Sequence, residues 1–78
     1  MNKFYFPKLT QHLKEKGITK AEFSRATFKV SEEPKGRTWA NAMSKKKGIT
    51  ETYANKCKRI LLKLGYPEDV ASFQATDD

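Results

Sequence analysis

The side chains best suited to chemistry lie between residues 35 and 47, in the segment KGRTWANAMSKKK, which contains five Lys or Arg and no acid. If this segment is helical, at ~100° per residue, Trp39, Ala42 and Met43 share one side. The side chains opposite them are Arg37, Asn41 and Ser44. In the DNA major groove Arg reads guanine, Asn reads adenine and Ser reads either. The segment therefore predicts a DNA recognition helix whose other face is anchored in a core.

The charge distribution favours a polyanionic partner. Residues 1–63 contain all 16 Lys and Arg and five acids, whereas residues 64–78 contain four acids and no Lys or Arg; the net charge is +7. Each Lys or Arg placed on a phosphate releases condensed counterions, so a basic body of this kind favours nucleic acid. A lysine-rich solvated surface without a partner is the alternative that composition leaves open.

Composition argues against catalysis and against a membrane. The 78 residues suit one small domain with a single Cys and a single His, Cys57 and His12, so neither a disulfide nor a Cys-based metal site is expected. No Gly-rich phosphate loop and no apolar run of ~18 residues occurs, and the N-terminus lacks the apolar stretch of a signal peptide. We expect a cytoplasmic protein that is not an enzyme and needs no cofactor or metal.

Start and stop signals predict four or five helices. The first runs over 6–16 and ends before Gly17. The second runs over 20–27, where Thr19 and Glu22 form a capping box and Phe28 is a candidate inward residue. Pro34 and Gly36 indicate a loop over 28–37.

The second half of the chain continues the helical pattern. A third helix is expected over 38–46, with Thr38 or, as the second choice, Ser31 as its cap. A fourth helix over 51–64 has Tyr53 and Cys57 on its apolar stripe. Pro67 opens a short fifth helix, whose Val70 and Phe73 would cover the core. Residues 1–74 then form one domain, and residues 75–78 form a disordered acidic tail.

Two stretches resemble the lambda-repressor-like (Cro/repressor, XRE-type) helix-turn-helix family. They are LTQHLKEKGITKAEFSRA, residues 9–26, which is similar to the opening of that family, and TETYANKCKRILLKLG, residues 50–65, which is similar to its fourth helix. The family's short turn between helices 2 and 3 is replaced here by about ten residues. The resemblance implies an all-α, compact four- to five-helix bundle in which helices 2 and 3 form the helix-turn-helix.

The resemblance also implies a function and a set of contacts. The protein would be a small transcriptional regulator of the Cro-like repressor type, from a bacteriophage or other mobile element. It would act in the bacterial cytoplasm and bind a double-stranded DNA operator. A homodimer is one way to occupy the two half-sites of such an operator. The base-reading residues implied by position in the family pattern are Arg37, Thr38, Asn41, Ser44 and Lys45. The phosphate-contacting residues are Lys20, Lys35, Lys46 and Lys47.

A second function stays open on the sequence alone. The protein would be an antirepressor that binds a partner repressor and changes its DNA binding. Glu32 and Glu33 motivate this alternative, because an acidic pair beside the groove-facing surface would repel phosphate. The two functions differ in whether the loop leaves Arg37, Asn41 and Ser44 open to solvent or covers them.

Overall fold

The computed structural model describes residues 2–76. The elements, in chain order, are β1 (Phe4–Tyr5), α1 (Leu9–Glu15), α2 (Lys20–Val30), α3 (Gly36–Ala42), α4 (Glu51–Lys63) and β2 (Gln74–Ala75). The protein is therefore broadly helical, as the sequence predicts, and the described part has four helices. The expectation of an all-α bundle is wrong in one respect, because a two-stranded sheet is also present.

The sheet joins the two ends of the chain. β1 and β2 are antiparallel, with Phe4 opposite Ala75 and Tyr5 opposite Gln74. Phe4 also exchanges two backbone hydrogen bonds with Ile49, at 2.8 and 2.7 Å, so β1 lies between β2 and Ile49, two residues before α4. Strands this short are stable only with such support from the rest of the fold.

The described structure extends into the segment that the sequence predicts to be a disordered tail. Ala75 belongs to β2, and the backbone N–H of Thr76 donates to the carbonyl of Lys3 at 2.9 Å. The prediction of disorder is therefore wrong at these two positions. Asp77 and Asp78 lie outside the described residues.

The first two helices differ in what precedes them. α1 begins at Leu9 rather than residue 6, and the chain before it is held by other elements: Phe4 and Tyr5 form β1, and the backbone N–H of Phe6 donates to the carbonyl of Ala42 at 2.8 Å. At the start of α2, the backbone N–H of Glu22 donates to the Thr19 hydroxyl at 3.1 Å, and that hydroxyl lies 3.1 Å from the Glu22 carboxylate. The predicted cap at Thr19 is confirmed.

The connection between α2 and α3 is five residues, 31–35, rather than the predicted ten over 28–37. α2 extends to Val30 because Phe23, Thr27 and Val30, at spacings of four and three, keep one helical face against the core. α3 begins at Gly36 after Lys35, not after Thr38, and ends at Ala42 instead of residue 46. The helix is seven residues long, about two turns.

α4 matches its prediction to within one residue. Thr50 precedes it and Gly65, with φ +89°, follows it. Cys57 is fully buried on its inner face, but the predicted partner Tyr53 is 41% exposed and Ala54 is buried in its place. The helix that the sequence predicts after Pro67 is only a turn.

A single core joins these elements. Its buried members are Phe6, Leu9, Leu13, Phe23, Trp39, Ala42, Ile49, Ala54, Cys57, Ile60, Leu61, Val70 and Ala71. Val70 is buried and Phe73 packs against this core, as the sequence predicts for both, and Tyr66 also packs against it.

Candidate nucleic-acid interface

α3 is anchored in the core through its inner face. Trp39 is 2% exposed, and its ring meets that of Phe23 edge-on, with 4.9 Å between the ring centroids. Ala42 is fully buried and its carbonyl accepts the backbone N–H of Phe6. α2 and the segment after β1 therefore hold α3 from two sides, which determines the face it presents to solvent. The predicted core role of Trp39 is confirmed.

The outer face of α3 forms one wall of an open depression. This depression is lined by Arg37, Ala40, Asn41 and Lys47. Arg37, Ala40 and Lys47 are exposed, and Asn41 is half-buried. None of the four is acidic. The structure thus brings together two of the predicted base-reading residues, Arg37 and Asn41, with one predicted phosphate contact, Lys47.

The lysines at residues 45–47 lie in a turn rather than on α3. The Ser44 hydroxyl accepts the backbone N–H of Lys47 at 3.2 Å, and the Ser44 carbonyl accepts the N–H of Gly48, also at 3.2 Å. The left-handed φ of Gly48, +63°, lets the chain leave this turn towards Ile49. Placing Ser44 and Lys45 on the recognition helix is therefore wrong. Lys45, Lys46 and Lys47 are exposed on this lysine turn.

Three other predicted contact residues lie outside the depression. Thr38 is half-buried on α3, and Lys35 is the exposed residue immediately before that helix. Lys20 is exposed at the first position of α2. None of these three lines the depression.

The acidic pair of the connecting loop does not cover the depression. No residue of 31–35 lines it. The Glu33 carboxylate lies instead 3.5 Å from the Lys56 ammonium on α4, and Glu32 is exposed. Arg37 and Asn41 therefore remain open to solvent beside the loop.

A second concavity, between α2 and α3, is absent from the sequence-based prediction. It is lined by apolar Phe28, Pro34 and Trp39 together with three cationic side chains. The expectation that Phe28 points inward is wrong, since 56% of it is exposed. Extending α2 through residue 30 would have revealed this, because Phe28 follows the buried Phe23 by five residues, ~140° around the helix.

The environment of Cys57 does not suit a nucleophilic role. Cys57 is fully buried, and this burial raises the pKa of its thiol to about 12, against a smaller lowering by Lys56. A nucleophilic cysteine needs the opposite shift, because the thiolate is the reactive form. Within residues 2–76 no group of three or more His, Cys, Asp or Glu could hold a metal ion.

Comparison with known proteins yields no relative from which a function could be transferred. No protein-family model matches the chain, and neither a curated protein nor a solved structure is significantly similar to it. In the described part of the chain, no helix is both long and apolar enough to cross a membrane. Functional proposals for this protein therefore depend on the depression and on the concavity between α2 and α3.

Proposed function

We propose that this protein binds double-stranded DNA as a small transcriptional regulator and that α3 enters the major groove. The observation that carries the proposal is the depression in which Arg37, Asn41 and Lys47 meet. Arg and Asn are the two side chains that make bidentate contacts with guanine and adenine, and Lys is a phosphate contact. An α-helix fits the major groove, which is about 12 Å wide.

The arrangement of α2, the five-residue connection and α3 supports a helix-turn-helix mode of docking. In that mode the N-terminal residues of the second helix reach base edges. Arg37 is the second residue of α3 and Asn41 lies one turn later. Lys46 and Lys47, in the turn after α3, would contact phosphates and set the register.

The remaining predicted contacts take lesser parts in this proposal. Thr38 lies between Arg37 and Asn41 on α3, Ser44 follows that helix, and Lys45 adds charge to the lysine turn. Lys20 and Lys35, which begin or precede helices, would contact phosphates outside the depression. A single α3 covers one half-site, so we expect two copies to occupy a complete operator.

A salt titration of DNA binding tests the proposal. Fluorescence anisotropy would compare a duplex from the control region of the protein's own gene with a scrambled duplex. Asn41→Ala should reduce the preference by about 1–3 kcal/mol, the discrimination of one good bidentate contact. Lys46→Ala should weaken both duplexes alike and reduce the slope of log K against log salt by about 0.9.

A matched control is Lys14→Ala, which removes the same charge from an exposed position on α1. It should leave the preference intact and change the salt slope less than Lys46→Ala does. Direct readout by α3 is refuted if Asn41→Ala leaves the preference unchanged. Equal, weak binding of both duplexes at physiological salt would instead favour the alternative, an antirepressor that acts on a partner repressor.

A further inference from the structure

The concavity between α2 and α3 is a groove with an apolar floor. It has a volume of about 420 Å³, and its apolar lining is formed by Phe28, Pro34 and Trp39. This volume falls within the ~300–1,000 Å³ that is usual for pockets that enclose ligand groups. Pro34 and Trp39 are buried, but Phe28 is the most exposed large apolar side chain of the described chain, at 56%. The groove therefore leaves aromatic surface in water that an occupant would cover.

The rim of this groove is cationic. Arg25 and Lys29 from α2 and Lys35 before α3 line it, and all three are exposed. No acidic residue lines the groove. Neither of the ion pairs Lys8–Asp69 and Lys56–Glu33 involves these three cations. An occupant that brings carboxylates would therefore meet three exposed cations, with no acid among the residues that line the groove.

We propose that this groove binds an acidic amphipathic segment of a partner protein, with apolar side chains on Phe28 and carboxylates on Arg25, Lys29 and Lys35. The apolar floor and the cationic rim together favour a ligand that carries both apolar and acidic groups. A helical segment with apolar anchors at i, i+3 or i+4 and acids beside them has this pattern. Carboxylates also pair well with Arg, whose planar guanidinium can hold both oxygens.

Single-stranded nucleic acid fits the groove less well. Binding a strand without sequence preference relies on several exposed aromatic faces along a basic track, on which successive bases stack. Here only Phe28 offers an exposed ring, because Trp39 is buried. The apolar part of the groove is a concavity rather than a row of platforms.

The groove is a different concavity from the depression, although Lys35, a proposed phosphate contact, lines the groove. The two concavities share no lining residue, although both use α3: Gly36 and Trp39 line the groove, and Arg37, Ala40 and Asn41 line the depression. A partner segment in the groove need not displace a duplex from the depression. The inference therefore does not depend on DNA binding.

Selection from a displayed library of random 16-residue peptides tests this inference. Peptides would be selected on the full chain and counter-selected on Phe28→Ser. We expect the enriched peptides to combine acidic residues with apolar anchors at helical spacing. Failure to enrich any peptide, or enrichment of basic or purely polar peptides, overturns the proposal.

An enriched peptide, synthesised with a fluorophore, would then be titrated with the variants. Phe28→Ser should weaken binding at least about tenfold, as expected for an aromatic anchor. Lys29→Glu should also weaken it and reduce its dependence on salt. Tyr53→Ser is the matched control, because it removes an exposed aromatic residue, 41% exposed, from α4 outside the groove. Phe28 and Lys29 are both exposed, so circular dichroism should show that their substitutions leave the fold unchanged.

Two further results would overturn the proposal by identifying another occupant. One is Phe28-dependent self-association of the protein in sedimentation, which would make the occupant a second copy of the chain. The other is displacement of the peptide by a 16-residue oligo-dT that itself binds in a Phe28-dependent way. If Phe28→Ser abolishes peptide binding but leaves duplex DNA binding intact, this result would support independent binding of the peptide in the groove and of DNA at α3.

Discussion

Gly48→Ala should be strongly destabilising, because Gly48 lies where the lysine turn meets the sheet. Its φ is +63°, in the left-handed region that residues with a Cβ rarely adopt. A Cβ at this position would lie 2.6 Å from Cγ2 of Thr76, 2.9 Å from Cβ of Lys3 and 2.9 Å from the carbonyl oxygen of Phe4. The substitution therefore combines an unfavourable backbone conformation with a steric clash.

The size of the effect follows from these two contributions. The left-handed conformation costs about 1–2 kcal/mol for a residue with a Cβ. The clash adds about 1–3 kcal/mol, as for other insertions into packed regions. The Thr76 methyl group can move by rotation of its side chain. Cβ of Lys3 and the carbonyl oxygen of Phe4 can move only if the backbone of residues 3 and 4 moves, and that backbone is hydrogen-bonded to Ile49 through Phe4. We therefore expect a loss of about 2–5 kcal/mol in the free energy of unfolding.

Urea denaturation followed by circular dichroism would measure this loss. The matched control is Gly17→Ala, because Gly17 has nearly the same φ, +69°, but nothing within 4 Å of its Cβ position. It should lose only the backbone contribution of about 1–2 kcal/mol. Equal losses for the two variants would refute the close approach of residues 3, 4 and 76 to Gly48. A larger loss for Gly48→Ala would support the anchoring of the lysine turn to the sheet.

Two further predictions concern a helix start and a buried thiol. Thr19→Ala should lower the free energy of unfolding by about 1 kcal/mol, because the Glu22 N–H loses its acceptor; an unchanged urea midpoint would contradict this. For Cys57 the folded pKa, about 12, lies above the ordinary 9.0, so its contribution to stability is complete below pH 9 and is lost as pH rises towards 12. The stability advantage of wild type over Cys57→Ala should therefore fall above pH 9 by up to about 1.4 kcal/mol per pH unit, and a constant advantage would contradict the raised pKa.

Where prediction succeeded, the signal was local. The cap at Thr19 depends on a few neighbouring residues and marks the start of α2 correctly, and the periodic pattern over 51–64 predicts the end of α4 to within one residue. The burial of Trp39 also follows from its position on one helical face. Arg37 and Asn41 could be selected as partners because they lie one helical turn apart within the same short segment.

Where prediction failed, the deciding contacts came from elsewhere in the chain. The chain before α1 is held by the pairing of β1 and by the hydrogen bond from Phe6 to Ala42, and α1 begins later than its apolar spacing suggests. Pro34 and Gly36 indicated a long loop, although packing against the core extends α2 to Val30. In this extended helix Phe28 points outward and lines the groove. No local sequence pattern predicted this groove.

The sequence by itself determined the basic body, the cap of α2, the extent of α4 and the residue types of the segment from 35 to 47. Only the tertiary structure decided which of these residues meet. β1 and β2 pair across about 70 residues of chain, and two-residue strands carry too little pattern to be recognised alone. Local propensities act over a few residues, whereas the lysine turn, the depression and the groove arise from contacts between distant ones. The arrangement of Arg37, Asn41 and Lys47 therefore depends on the packing that holds α3.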